Sequence, residues 1–324
     1  MKPTRRGMLA ALGAFLLVFA QVHIAAQEVY PNRPIKIIVP FPPGGIVDAL
    51  TRVVAEKLSV KFGQPVIVEN KAGATGNIGA ELVANARPDG YTLLSTPPPP
   101  LVINQSLFKQ LPFDPVRFVP ITVIAGAPNV LVGNAKLRAN NAGELIAQAK
   151  EHPGMLNYAS TGSGGTPHVT AEWFKSAVGV QITHIPYKGA QAYPALLAGD
   201  VDVMFMTLSD ALPHIRSGRL KALAVGSEKR IAALPGVHTL AETVPGFVST
   251  TWIAIVATPG TSPAIAGKLS AAIDEALQLP EIKKMLVDLN LDPIGGSPAE
   301  TAAFLKEETE RWSKVIRSAQ IKAD

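Results

Sequence analysis

Ile35-Lys36-Ile37-Ile38-Val39-Pro40-Phe41-Pro42-Pro43-Gly44-Gly45-Ile46-Val47-Asp48 is the stretch whose reading decides the fold. It opens with a β-branched apolar run and passes through a loop stiffened by prolines and loosened by two glycines. It then enters a helix, because Val47, Leu50, Val54 and Leu58 recur on one face. A strand delivered straight into a helix is the first half of a β-α-β unit. In open α/β sheets, ligands bind just past the carboxyl ends of strands. There the unpaired N–H groups and positive end of the helix attract anions. A plain strand–helix turn, with Asp48 stabilising the first helical turn, fits this stretch equally well.

Outward from this stretch the same rhythm continues. Val66-Ile67-Val68 reads as a strand, Ile78–Ala86 as a helix and Tyr91-Thr92-Leu93-Leu94 as a third strand. Strands follow at Val130–Val132, Leu156–Ala159, Ile182–Ile185, Val201–Phe205, Leu220–Val225 and Trp252–Ala257. Helical patterns lie between them, at Ala142–Glu151, Val169–Val178, Tyr193–Ala198 and Ala211–Arg216. The tail reads as three helices, Ser262–Leu279, Glu281–Leu289 and Pro298–Ser318, with Ser-Pro start signals before the first and last. The alternation predicts an α/β fold with parallel strands and helices on the sheet faces. At 324 residues the chain has room for two domains. No linker separates two beads, so the chain is expected to cross between domains more than once. Pro97–Pro100 reads as a stiff extended loop leaving the third strand.

The N-terminus reads as a secretory signal. Lys2, Arg5 and Arg6 precede an uncharged, mostly apolar run from Met8 to Ala20, and Ile24-Ala25-Ala26 offers a cleavage site before Gln27. The run is shorter than the roughly 20 residues a membrane-spanning helix needs. Thr4-Arg5-Arg6-Gly7-Met8-Leu9 also resembles a twin-arginine signal, which leaves the export route open. Without residues 1–26, which hold three basic and no acidic side chains, the net charge falls from +5 to +2. That is no footprint for a nucleic acid. The chain has no Cys, which excludes a disulfide framework, a Cys-ligated zinc site and a thiol nucleophile. Six histidines are scattered without the short paired spacing of a metal site, so neither a metal nor another cofactor is expected.

Two further loops sit where a ligand could be held. Glu69-Asn70-Lys71-Ala72-Gly73-Ala74-Thr75-Gly76-Asn77-Ile78-Gly79 lies between a strand and a helix, and its glycine spacing fails the dinucleotide fingerprint. Ala159-Ser160-Thr161-Gly162-Ser163-Gly164-Gly165-Thr166-Pro167-His168 combines hydroxyls with backbone donors. It has no P-loop Lys, and Thr161 stands where a nucleophile elbow needs Gly. Hydroxyls and amides suit a carboxylate, whose oxygens only accept hydrogen bonds. A hydrolase using Ser163 and His168 is the main enzymatic rival, and the missing triad pattern argues against it, so no catalytic residue is expected. Met204 and Met206 read as pocket or core fillers.

Taken together, the motifs resemble those of the Bug family, the extracytoplasmic receptors of tripartite tricarboxylate transporters. The resemblance rests on Tyr30-Pro31, Pro34-Ile35, Val39–Gly45 with Asp48 and Arg52, Glu69-Asn70-Lys71, Gly76–Gly79, Pro88–Leu93, Leu156–Ser160, Pro186–Gly189, Leu212–Ile215 and Leu223–Val225, in this order along the chain. It implies a two-lobed periplasmic binding protein of the Venus-flytrap, type II-like kind, with a small carboxylate held in the cleft between lobes. It implies delivery to the membrane subunits of such a transporter, and a receptor that is not an enzyme and acts as a monomer. A receptor that presents the same fold to a signalling protein instead of a transporter fits the sequence equally, because the difference lies on the partner.

The expected lobes are residues 27–125 with 253–324, and residues 126–252, with crossings near 124–130 and 250–257. The resemblance places Phe41, Gly44, Gly45, Asp48 and Asn77 on the first lobe's side of the cleft, and Thr161, Ser163, Gly165 and Thr166 on the second's. Thr96, His168 and Met206 complete the expected ligand-binding set. Three departures from the family pattern stand out: Ile46-Val47 before the Asp, Pro97–Pro100 after the third strand, and Met206-Thr207 where the family often carries Asp-Asn. All three tilt the expected ligand toward a less polar or aromatic carboxylate.

Overall fold

One strand organises the chain, and it is longer than its sequence suggests. In the computed structural model, which describes residues 30–322, β4 runs from Val119 to Asn134. Residues Val119–Pro128 pair antiparallel with β9 (Thr250–Ala257), while Val123, Ala125 and Gly126 also pair with β10 (Asp292–Gly295). From Asn129 to Asn134 the partners change to β7 (Val203–Thr207) on one side and β8 (Leu220–Val225) on the other. The first group continues through β9 to β3 (Thr92–Thr96), β1 (Ile35–Val39) and β2 (Val66–Asn70), the last three parallel to one another. The second continues from β7 to β5 (Asn157–Ser160) and β6 (Thr183–Pro186), again parallel. Each half is thus a parallel β-α-β sheet closed by antiparallel strands, and β4 belongs to both. The expected signal segment, residues 1–26, lies outside the described residues.

The helices that follow the strands start and stop where local chemistry dictates. Helix α1 (Ile46–Phe62) buries Leu50, Val54 and Leu58 and ends at Gly63, whose φ of 62° suits the left-handed cap. Helix α2 (Asn77–Ala84) follows β2. Asn104–Leu107 forms a single helical turn, α3. In the second half, α4 (Ala142–Glu151) is capped by the Asn141 side chain on the Glu144 amide. Helix α5 (Thr166–Val178) carries Pro167 in its first turn. Helix α6 (Ala192–Ala198) and helix α7 (Leu208–Arg216) follow, then the short α8 (Leu240–Thr243). The tail is α9 (Pro263–Gln278), α10 (Pro280–Asp288) and α11 (Pro298–Ser318), the last opened by a Ser297/Glu300 capping box.

The proline run departs from expectation. Pro98 has helical φ and ψ, and Pro99–Ile103 forms a wide helical turn in which the Asn104 amide reaches the Pro99 carbonyl. Prolines are tolerated there because the first amides of a helix have no intrahelical acceptor to lose. The extended-loop reading of Pro97–Pro100 therefore fails for Pro98–Pro100. Strand β10 was also not anticipated; its side chains are mostly exposed and offer no apolar alternation.

Leu94, Val102, Val123 and Ala254 pack with Trp312 and Ile316 of α11 in one core, so the C-terminal helix completes the first half. Leu131, Tyr158, Phe174, Phe205 and Phe247 form the core of the second. Trp173 packs against both, stacking on Phe247 at 3.9 Å between ring centroids and meeting Trp312 edge-on at 6.3 Å. An enclosed apolar cavity of about 10 Å³ beside Leu131, Tyr158 and Phe174 is too small for any solute.

Where β4 changes partners, three backbone segments meet. Asn129 N donates to Ser249 O, Gly226 N to Asn129 O, and Ser249 N to Gly226 O. The Asn129 side chain also donates to Ser249 Oγ. Gly226 is what permits this approach, since a Cβ there would sit 2.4 Å from Ser249 O and 2.9 Å from Asn129 O. Gly226→Ala should therefore destabilise the fold by about 1–3 kcal/mol through forced backbone shifts. Gly267→Ala is the contrast: it lies inside α9 with open space around a Cβ. It should be neutral or stabilising by up to about 1 kcal/mol. Urea denaturation of both variants checks this, and an unchanged midpoint for Gly226→Ala would mean that the junction is not tight.

Candidate functional site

The loop after β1 is tied down by Asp48. Its Oδ2 accepts from the Gly44 amide at 3.0 Å and from Arg52 Nε at 3.1 Å, and its Oδ1 accepts from Asn70 Nδ2 at 2.9 Å. Asn70 Nδ2 also donates to the Phe41 carbonyl, and its Oδ1 accepts from Arg52. The buried Asp48 carboxylate, with Asn70 bonded to it, thus joins the first turn of α1, the end of β2 and both ends of the Phe41–Gly44 loop. Burial raises the Asp48 pKa, but the bonds from Arg52, the Gly44 amide and Asn70 outweigh it and hold the carboxyl below its ordinary range. Gly44 (φ 88°) and Gly45 remain exposed, with open space around both.

The loop after β2 is unusual in its backbone. Gly73, Ala74, Thr75 and Gly76 all have positive φ, at 137°, 47°, 53° and 89°. For Ala and β-branched Thr this costs of order 1–2 kcal/mol each. Gly76 is required by contact as well, because a Cβ there would meet Pro100 Cγ at 2.5 Å and the Phe41 ring at 3.3 Å. Asn104, fully buried at the start of α3, donates to the Thr75 carbonyl at 3.1 Å and to Asn77 Oδ1 at 2.6 Å.

The Ser160–Gly165 loop follows β5 in the second half. Ser160 Oγ pairs with His184 Nε2 at 2.7 Å and accepts from the Gly162 amide. The Tyr187 amide donates to Ser160 O, and the Gly189 amide to Thr161 O. The Gly164 amide donates to His168 Nδ1 at 3.0 Å. His168 is buried and stacks on His184 at 4.3 Å, and His184 stacks on Tyr158 at 4.7 Å. By contrast, no hydrogen bond among the described residues engages the hydroxyls of Thr161, Ser163 or Thr166. Thr161 and Ser163 lie in the loop that leads into α5, and Thr166 is its first residue. The two halves touch at this point: Thr75 Oγ1 donates to Ser163 O at 2.9 Å.

The structure thus brings Phe41, Gly44, Gly45, Asp48 and Asn77 to the strand ends of the first half, and Thr161, Ser163, Gly165 and Thr166 to one loop of the second. Three expected residues sit deeper. Thr96 is fully buried and its hydroxyl donates to the Pro97 carbonyl. His168 supports the loop from beneath. Met206 packs in the core with Val130, Met204 and Leu212. Sequence reasoning missed three residues whose side chains bond to the candidate loops. Asn70 and Thr75 lie inside stretches it singled out, and their side-chain reach gave no signal. Asn104 follows an apolar run that marks nothing. The hydrolase alternative also fails on geometry. The Gly164 amide occupies His168 Nδ1, and the Ser–His hydrogen bond found among the described residues, Ser160 with His184, has its serine fully buried.

Two α/β lobes sharing crossing strands, with loops from both meeting at the strand ends, define the two-lobed binding-protein class. Residues 50–321 match the family model described as the tripartite tricarboxylate transporter family receptor, TctC. The protein BugT of Bordetella pertussis is 39% identical over 319 residues, covering 97% of this chain and 98% of the relative. Among solved structures, Rpa4515 of R. palustris with adipate is 33% identical, covers 90% of this chain and 99% of its own, and superposes with a TM-score of 0.85. MatC from Rhodopseudomonas palustris, with bound malate, is 30% identical, covers 89% of this chain and 100% of its own, and gives 0.82. The chain belongs to the TctC receptor family, whose Bug members it resembles throughout. It is a periplasmic solute-binding protein, and the family is one of receptors, not of enzymes.

The Asp48 network has a pH signature. A carboxyl whose folded pKa is depressed contributes stability that is present above its unfolded pKa and is lost as pH falls through the folded one. Asp48→Asn should cost about 1–3 kcal/mol at pH 7, since hydrogen bonds to a charged acceptor are lost or weakened. The gap to the parent should close on acidification below the usual carboxylate range. Thermal denaturation across pH checks this; a gap that does not change with pH would show that the Asp48 charge plays no part.

Proposed function

We propose that this receptor captures a small carboxylate between the Phe41–Gly45 and Gly73–Gly76 loops of one lobe and the Ser160–Thr166 loop of the other, and delivers it to the membrane subunits of a tripartite tricarboxylate-type transporter. The carrying observation is the trio of hydroxyls, Thr161, Ser163 and Thr166, none engaged by a described residue, at the amino end of α5 opposite the Thr75 loop. Donors clustered at a helix N-terminus suit a carboxylate, which only accepts. Relatives solved with adipate and with malate support the same ligand class. The proposed lobes are residues 27–125 with 253–324, and residues 126–252; the partner exchange in β4 at Pro128–Asn129 supports a crossing in that stretch. We place ligand contacts at Phe41, Gly44, Gly45, Thr161, Ser163, Gly165 and Thr166, with Asp48, Asn77 and His168 shaping the loops. Export with cleavage near Gln27 and action as a monomer belong to this reading.

Closure follows from a site split between lobes, because a ligand shifts an equilibrium only through unequal affinity for the two states. A thermal-shift screen of aliphatic and aromatic carboxylates, adipate and malate included, should raise the melting temperature with at least one. Thr166→Val should then weaken that ligand about tenfold, the equivalent of roughly 1.4 kcal/mol. Gly45→Trp should abolish binding without disturbing the circular dichroism, because Gly45 has an ordinary φ and no neighbour in the way. Binding unaffected by either substitution, measured by titration calorimetry, would place the site elsewhere.

A further inference from the structure

The loop after β2 places a β-branched residue in a left-handed conformation that Gly or Asn adopts at much lower cost, and the reason lies in the opposite lobe. We propose that Thr75 is an interlobe latch: a positioning residue whose hydroxyl sets how much closed receptor is present and how long a captured solute stays. This rests on the two-lobed capture reading above.

Four observations carry it. Thr75 Oγ1 donates to Ser163 O, 88 residues away in sequence, at 2.9 Å. Asn104 Nδ2 holds the Thr75 carbonyl, so the strained turn (φ 53°, ψ 37°) is fixed from its own lobe. The peptide unit it grips is fixed too: the carbonyl of Ser163 accepts from Thr75, while the amide of the next residue, Gly164, donates to His168 Nδ1. The surfaces around this bond are in close approach. A Cβ on Gly164 would lie 3.5 Å from Leu107 Cδ1, 3.7 Å from the Phe108 ring and 3.7 Å from Thr75 Cγ2. A single peptide plane is therefore held between a donor on one lobe and an acceptor on the other. Strain retained at such a place is characteristic of switch and clamp positions. Gly, which adopts this conformation without cost, has no side-chain donor to offer the Ser163 carbonyl.

Thr75→Val keeps the shape and the β-branched strain and removes only the donor. Thr75→Ser keeps the donor. With malate and adipate as probes, stopped-flow measurement should show dissociation roughly three- to tenfold faster for Thr75→Val, the worth of one net hydrogen bond. The association rate should change little, and Thr75→Ser should restore the parent's behaviour. Equal dissociation rates in parent and Thr75→Val would overturn the latch. The absence of cysteine allows a readout that needs no ligand. Spin labels at Val60→Cys and Met155→Cys, both highly exposed and one on each lobe, report the interlobe distance. The Thr75→Val background should shift the unliganded distribution toward longer distances, and superimposable distributions would overturn the proposal. If neither probe binds the parent yet the distances shift, the latch stands and the choice of ligand class falls.

Discussion

The structure depends on a backbone junction. At Asn129 the long strand β4 leaves one sheet and enters the other, and there Gly226 and Ser249 close a ring of main-chain hydrogen bonds with it. The ring uses only main-chain groups, so it needs close approach, and close approach needs a residue without a side chain at position 226. Outside the junction the strands and most of the helices sort to one lobe or the other, with Trp173 and the Thr75–Ser163 bond joining them. Parallel strands and their helices gather on each side, and α11 returns to the first lobe through Trp312 and the Trp252 indole, which donates to Glu308 at 2.7 Å. The crossing is flanked by two cores that meet at Trp173.

Both sheets run from the junction in parallel β-α-β units, and the loops after β2 and β5 meet where Thr75 bonds Ser163. The two sides hold their loops differently. In the first lobe a buried carboxylate, Asp48, organises the loop while its charge is neutralised by Arg52. It therefore leaves little negative charge to repel an anionic solute. In the second lobe stacked rings support the loop, with the His168, His184 and Tyr158 stack lying beneath a run of glycines and hydroxyls. Trp173, packed against both cores, is the side chain best placed to feel a change in the angle between them.

The fold was legible to the extent that it is written in periodicity. The β-branched runs of β1 and β8 and the helical stripe of α1 appear where their spacing puts them, because they are buried against their neighbours, and β2 follows the same apolar run at the half-exposed sheet edge. The wide turn at Pro99–Ile103 was hidden, since proline reads as a breaker unless its place in the first turn is known. Strand β10 was hidden because its mostly exposed side chains carry no apolar alternation. Around the site, the loops were legible from their glycines and hydroxyls. The division of labour among their side chains was not: whether Asp48 meets a solute or fixes a loop depends on Arg52, Gly44 and Asn70 converging on it in space. The Thr75–Ser163 contact joins residues whose adjacency exists only once both lobes are built.

The account's central claim is that a carboxylate is held between the lobes, with the α5 loop supplying the donors. A crystal structure of the receptor with the tightest carboxylate from the screen tests this most directly. The account predicts a carboxylate oxygen within hydrogen-bond distance of the Thr161, Ser163 or Thr166 hydroxyls or their amides, with the Phe41–Gly45 loop covering the opposite side of the same molecule. A ligand bound to one lobe alone, or anywhere away from the Ser160–Thr166 loop, would contradict it.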